Sequence, residues 1–227
     1  MIATWHAPLP DGGTAEELLV RFDGGRAIRV LVCPAWFDEA NKLRRFTIEV
    51  MRRLDRAGID SFLPDLPGCN ESLAPLCDQT LAGWRVAMAA AAESFGATHV
   101  LAIRAGALVA PPGLAGWRYA PQTGPKLLRA MLRARTIAAR EAGLVETSEG
   151  LLAEGRERGL MLGGWMVGPA LLGELESAEP APGERQREIA PAELGGPGLW
   201  LRAEPSEDAA QADALAAIIA AESGAAS

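Results

Sequence analysis

The stretch THVLAIRAGALVA, residues 98 to 110, restricts the architecture more than any other part of the chain. Its first half is a short apolar run bounded by polar residues, the pattern of a strand buried on both faces. Its second half surrounds Arg104 with Ala102, Ala105 and Gly106, small residues that let the backbone turn sharply out of a strand into a helix. A turn of that kind projects one side chain, here Arg104, over the carboxyl end of the sheet. The neighbouring sequence continues the alternation, with strands predicted at 17 to 22, 27 to 33, 59 to 64 and 113 to 120. Helices are predicted at 41 to 57, 79 to 94 and 124 to 142. In the first, Leu43, Phe46, Val50, Met51 and Leu54 share a face and Gly58 ends it; in the second, Asp78 is the expected N-cap.

Alternating strands and helices imply a mostly parallel sheet covered on both faces, a three-layer α/β/α sandwich. At 227 residues the chain is expected to form one domain. Beyond residue 145 the pattern predicts a helix at 149 to 157, a strand at 160 to 167 and a short helix at 169 to 176. A polar, proline-bearing surface loop at 177 to 188 follows, then a late strand at 198 to 203 and a final helix capped by Ser206. Residues 1 to 15 read as an extended leader and 223 to 227 as a frayed tail.

Hydrophobic residues at 49% and charged residues at 22% exclude global disorder. The net charge of −7 excludes a general nucleic-acid binder and favours a monomer or small homo-oligomer. The uncharged run from 159 to 173 is interrupted by glycines and Pro169 and is shorter than the ~20 residues of a membrane span. MIATWHAPLPDGG lacks the basic start and apolar core of a secretory signal, so cytoplasmic residence is expected. Cys33, Cys69 and Cys77 show no metal-ligand spacing and no even disulfide set; they are expected to be free thiols, with no metal or cofactor.

The run VLVCPAWFDEANKLRRFTIEVMRRLDRAGIDSFLPDLPGCNES, residues 30 to 72, resembles the α/β-hydrolase-like proteins associated with the exosortase A system. The resemblance lies in a strand ending in proline, followed by Glu39, Asn41, Lys42 and the pair Arg44 and Arg45 opening a helix. Asp65, Gly68 and Ser72 match a D-x-x-G-x-x-x-S turn after the next strand, and AIRAGA matches the family's elbow. GWMVGPALLGEL and LWLRAEPSEDAAQADALAAII extend the match toward the C-terminus. The resemblance implies a reduced α/β-hydrolase-like fold without a full cap, in the setting of exopolysaccharide production and protein sorting.

In a G-x-S-x-G elbow the central residue is the nucleophile. Arginine cannot attack a carbonyl, because its guanidinium stays protonated and only donates hydrogen bonds. Ser61, Ser72, Cys33 and Cys69 are off-pattern alternatives, but His6 and His99 both lie early, away from where such a fold supplies its base. Arg104 is instead expected to hold an anion, with Glu39 or Asp38 as the internal partner and a ligand carboxylate or phosphate as the alternative. Asn41, Lys42, Arg44 and Arg45 would widen the site if their loop faced the same crevice. Lys126, Arg129, Arg133 and Arg140 fall on one side of a helix, suited to solvent, to an acidic partner or to peripheral contact with a membrane.

The expectation is thus a catalytically degenerate hydrolase-like protein that binds a small anionic ligand or a protein partner. An ester or thioester hydrolase with a rearranged site, and a structural partner docked to a membrane-associated complex, are the alternatives.

Overall fold

The computed structural model describes residues 1–9 and 12–224; the end of the expected frayed tail, 225–227, lies outside the described residues. In chain order the first half contains β1 (Ile2–Pro8), β2 (Thr14–Phe22), β3 (Arg29–Cys33), α1 (Asp38–Arg56), β4 (Asp60–Pro64), α2 (Leu81–Ser94) and β5 (His99–Ile103). The second half contains β6 (Ala115–Tyr119), α3 (Gly124–Glu141), α4 (Ser148–Arg158), β7 (Leu160–Leu162), β8 (Trp165–Val167), α5 (Pro169–Leu175), β9 (Gln186–Ile189) and α6 (Ala209–Glu222). Seven strands form one sheet in the order β1-β2-β4-β3-β5-β6-β9. From β4 to β9 neighbours are parallel, while β1 and β2 add an antiparallel margin.

The period of two along the central strands divides their side chains between two cores. Leu31 and Cys33 of β3, with Val100 and Ala102 of β5, pack under Trp84 and Met88 of α2. Val30, Val32, Leu101 and Ile103 face the other way, under Phe46 and Val50 of α1 and Leu215 and Ile219 of α6. Helices therefore cover both faces, giving the three-layer arrangement expected. Between β6 and β9 the chain makes an excursion through α3, α4, the β7–β8 hairpin and α5. Leu127, Leu132, Leu162 and Leu171 of this excursion join the same apolar cluster as α2, and the excursion is fastened to α2 and to the segment that follows β5. No helix among the described residues is long and apolar enough to cross a membrane.

Several local expectations are corrected. Within the expected leader, residues 2 to 8 form β1, in register with β2 from Ile2↔Val20 to Pro8↔Thr14. Trp5 and Ala7 alternate into the core, a short half-buried pattern typical of an edge strand. The expected loop at 177 to 188 contains the start of β9, and the expected strand at 198 to 203 is a 3-10 turn over Leu199–Leu201. Side-chain tethers hold β9: Gln186 Nε2 donates to the carbonyls of Pro111 and Leu114, and its Oε1 accepts from Arg118 Nε at 2.7 Å.

The strand expected at 160 to 167 is a hairpin because Gly163 and Gly164, at φ 58° and 93°, reverse the chain. Helix α1 begins three residues earlier than expected, after Phe37 at φ 55°, with no side-chain cap to mark it. Thr80, not Asp78, caps α2, and Asp208, not Ser206, caps α6.

Candidate functional site

Strand β5 delivers Arg104 to the carboxyl edge of the sheet in a left-handed conformation, φ 55°, and a single 3-10 turn over Arg104–Leu108 follows. A non-glycine residue held there costs ~1–2 kcal/mol, so the surrounding contacts must enforce it. One such contact is at Gly106: a Cβ there would lie 2.2 Å from the carbonyl oxygen of Cys33. Only glycine lets the turn lie this close to β3.

The guanidinium is held on three sides. Arg104 Nε and Nη2 donate to Glu39 Oε2 and Oε1, each at 2.9 Å, a bidentate pair. Nη1 donates to the carbonyl of Ala120 at 3.0 Å. The ring of Trp200 lies 4.2 Å from the guanidinium carbon, within cation–π range. The side chains of Arg104 and Glu39 retain only 13% and 17% exposure, which removes this pair from most solvent screening. Glu39 reaches Arg104 because α1 starts at Asp38, and the dipole of the helix favours a carboxylate in its first turn. Of the two acids expected as internal partners, Glu39 takes Arg104, whereas Asp38 pairs with Lys42 at 2.7 Å.

The remaining expected site residues are not gathered around Arg104. Arg44 pairs with Asp65 at 3.1 Å and Arg45 with Glu207 at 2.6 Å. Asn41 and Arg44 line a neighbouring cavity of about 540 Å³ beside Cys69 and Asn70. The basic residues opening α1 therefore spread around the helix and each finds its own acid, so they do not form one anion cradle.

Above Arg104 lies a cavity of about 560 Å³. Its polar side is Asp38, Glu39, Arg104 and Gln122; its apolar side includes Phe37, Trp165, Trp200 and Met131. Trp36, Phe37 and Trp165 belong to the walls of both cavities, which therefore adjoin. In two of the lining residues a polar atom is turned away from solvent, Trp36 Nε1 and Gln122 Oε1, and neither has a hydrogen-bond partner among the described residues. Such atoms are costly unless satisfied, by roughly 1–3 kcal/mol each. Sequence reasoning missed Trp36, Gln122, Trp165 and Trp200. The usable signal was that three of the six tryptophans fall in loops or at element ends, where large aromatic residues line sites more often than cores.

The groups that could supply covalent chemistry are placed or protonated unfavourably for it. His6 lies on the edge strand β1, and His99 opens β5, roughly 16 Å of strand away from Arg104. His99 stacks on Trp117 at 5.6 Å with Nδ1 2.8 Å from Thr98 Oγ1; burial, reinforced by Arg185, depresses its pKa. Burial pushes the Cys33 thiol up to about 12. Burial first, then the carboxylates of Asp65 and Glu17, push the Cys69 thiol up as well.

Ser72 is a loop fastener: its hydroxyl donates to Glu17 Oε1 and accepts from the Gly68 N–H, both at 2.8 Å. The D-x-x-G-x-x-x-S turn is thus explained by its own hydrogen bonds, with Asp65 held by Arg44 and by Asn70 Nδ2 at 2.8 Å. Among the described residues no group of three His, Cys, Asp or Glu side chains is arranged to hold a metal ion.

No protein-family model and no curated protein matches the chain. Solved structures do resemble it. Mouse alpha/beta hydrolase domain-containing protein 10 superposes with a TM-score of 0.53 at 12% identity, covering 83% of this chain and 77% of that one. A putative hydrolase from Agrobacterium vitis S4 gives a TM-score of 0.47 at 13% identity over 61% of this chain, which spans 60% of that protein's length. A proline iminopeptidase-related protein from Thermus thermophilus gives 0.45 at 21% identity, with coverage of 69% and 56%. Identities this low speak to fold alone; joined to the parallel sheet and the left-handed turn after β5, the mouse structure identifies the architecture as an α/β-hydrolase-like fold.

Proposed function

We propose that this protein is a catalytically inert hydrolase-like fold that retains the crevice as a binding site for a small molecule. The observation that carries the reading is the state of Arg104. The residue keeps the strained backbone of an elbow, yet its side chain is a donor-only group spent on Glu39, Ala120 and Trp200. Acyl transfer needs a nucleophile with a base in reach, and neither histidine reaches this corner. The crevice itself persists at about 560 Å³, within the range of small-molecule sites.

The expected anion anchor is refined accordingly. Because Glu39 neutralises Arg104 with two hydrogen bonds, the floor of the crevice favours an uncharged part of a ligand. Any anionic group would need cations elsewhere on the rim. The setting we assign is exopolysaccharide production alongside an exosortase system; its support is the run of matched residues from Glu39 to Ser72.

The test is chemical. Incubation with a fluorophosphonate probe and with activated acyl esters is expected to give neither labelling nor turnover above the uncatalysed rate. Stoichiometric labelling of one serine, located by mass spectrometry, would overturn the reading in favour of a rearranged hydrolase.

A further inference from the structure

We propose that the crevice holds the apolar chain of an anionic amphiphile whose charged group rests on Lys126, Arg129 and Arg133 of α3. This rests on the reading of the crevice as a ligand site and names the ligand's chemical class. Helix α3 has three working faces. Leu127, Leu128 and Leu132 point into the core. Leu127, Ala130, Met131 and Ala134 form one wall of the crevice. Lys126, Arg129, Arg133 and Ile137, with Ala130 and Ala134 between them, floor a shallow surface basin. Ala130 and Ala134 therefore belong to both, and a molecule leaving the crevice across these two small residues meets the basic side chains directly.

Charge accounting separates these cations from the others near the crevice. Arg104, Lys42, Arg44, Arg45 and Arg135 are each matched with a carboxylate. Lys126, Arg129 and Arg133 have no ion-pair partner among the described residues, although the chain carries a net charge of −7. Unpaired cations at helical spacing on an acidic protein attract an anion, and the attraction is felt over roughly a Debye length, ~8–10 Å.

The apolar share of the ligand is called for by Phe37, Met131, Trp165 and Leu201 around the crevice. Leu201 is 72% exposed and Ile137 49%, so apolar surface lies open on the crevice margin and beside the basic residues. An inorganic anion would leave that surface bare, and an uncharged hydrocarbon would leave the cations unmatched. A molecule with both parts satisfies both.

The experiment is isothermal titration of the full-length protein with alkyl phosphates of increasing chain length below their micelle concentrations. Inorganic phosphate and octyl glucoside serve as the headgroup-only and uncharged controls. Affinity is expected to rise about fourfold per added methylene until the crevice is filled, to fall with added salt, and to be undetectable for inorganic phosphate.

Ala134→Trp, at an exposed position on the crevice mouth, is expected to abolish binding of octyl phosphate. Arg129→Glu with Arg133→Glu is expected to weaken octyl phosphate at least tenfold and leave octyl glucoside unchanged; circular dichroism checks that both variants fold. Equal affinity for octyl glucoside, insensitive to the charge reversal, would overturn the anionic assignment while leaving the crevice a ligand site. Binding of neither octyl compound would overturn both readings. Flotation with anionic vesicles that Ala134→Trp does not reduce would assign the basic face to a lipid surface and overturn the single-amphiphile occupant.

Discussion

At the residue scale, Arg104 and Glu39 form a mostly buried pair whose members depend on each other. Removing one leaves the other's charge uncompensated, a loss typically larger than the pair's net contribution. Arg104→Ala is expected to lower stability by about 3 kcal/mol, a fall in Tm of about 9 °C, measurable by thermal denaturation. Arg104→Lys should recover less than half of this, because an ammonium cannot reproduce the two-pronged contact to Glu39 and the stacking on Trp200.

Glu17 behaves in the opposite sense. Burial holds its carboxyl above the ordinary value of 4.5, with the Ser72 hydroxyl opposing and Asp65 reinforcing the shift. Its Oε2 has no partner among the described residues. With the folded-state pKa raised, the folded protein binds more protons than the unfolded chain between 4.5 and the raised value, so this residue's contribution to stability falls as pH rises through that window. Glu17→Gln is expected to gain stability relative to the parent at about pH 8 and to lose that advantage at about pH 4, read as the difference in urea midpoints.

At the scale of single elements, α6 offers a direct comparison of two capping candidates. Asp208 accepts from the Gln211 N–H, whereas Ser206 accepts from the side chain of Arg202. Asp208→Ala should therefore cost about 1 kcal/mol, and Ser206→Ala should leave the helix cap intact, both measured by denaturant titration. The same contrast explains what the sequence made legible. Ser206, Glu207 and Asp208 all fit a helix start by composition, and only the fold decides which side chain faces the open N–H.

Elements with strong periodicity, such as α1 with Leu43, Phe46, Val50 and Leu54, were readable to within three residues. Elements stabilised by tertiary tethers were not. Gln186-Arg-Glu-Ile189 carries almost no apolar alternation and becomes a strand because the Gln186 and Arg118 side chains fasten it to the sheet. In the site, the Arg104–Glu39 pairing followed from residue chemistry plus topology. Gln122 in a loop, Trp165 at the start of β8 and Trp200 in a 3-10 turn reach the same crevice by chain paths that no local pattern encodes.

For the molecule as a whole, the antiparallel margin decides how the sheet ends. Strand β1 shields β2 along its length, and Trp5 fills the core beside Phe95 at 5.9 Å between ring centroids. Deleting residues 1 to 8 is expected to remove more than about 3 kcal/mol through the lost Trp5 packing alone. The deletion also bares the hydrogen-bonding edge of β2, an invitation to pair with another chain. Size-exclusion chromatography should then show higher oligomers, and the urea midpoint should drop; an unchanged elution volume with an unchanged midpoint would contradict the role given to β1.

The contacts of Arg104 come from residues 39, 120 and 200, so they span most of the chain. A ribosome supplies Glu39 before Arg104 itself, Ala120 soon after, and Trp200 last of the four. The partners of the ion pair are thus available to the nascent chain before its aromatic cover, and the corner can dry only once the segment bearing Trp200 has been made.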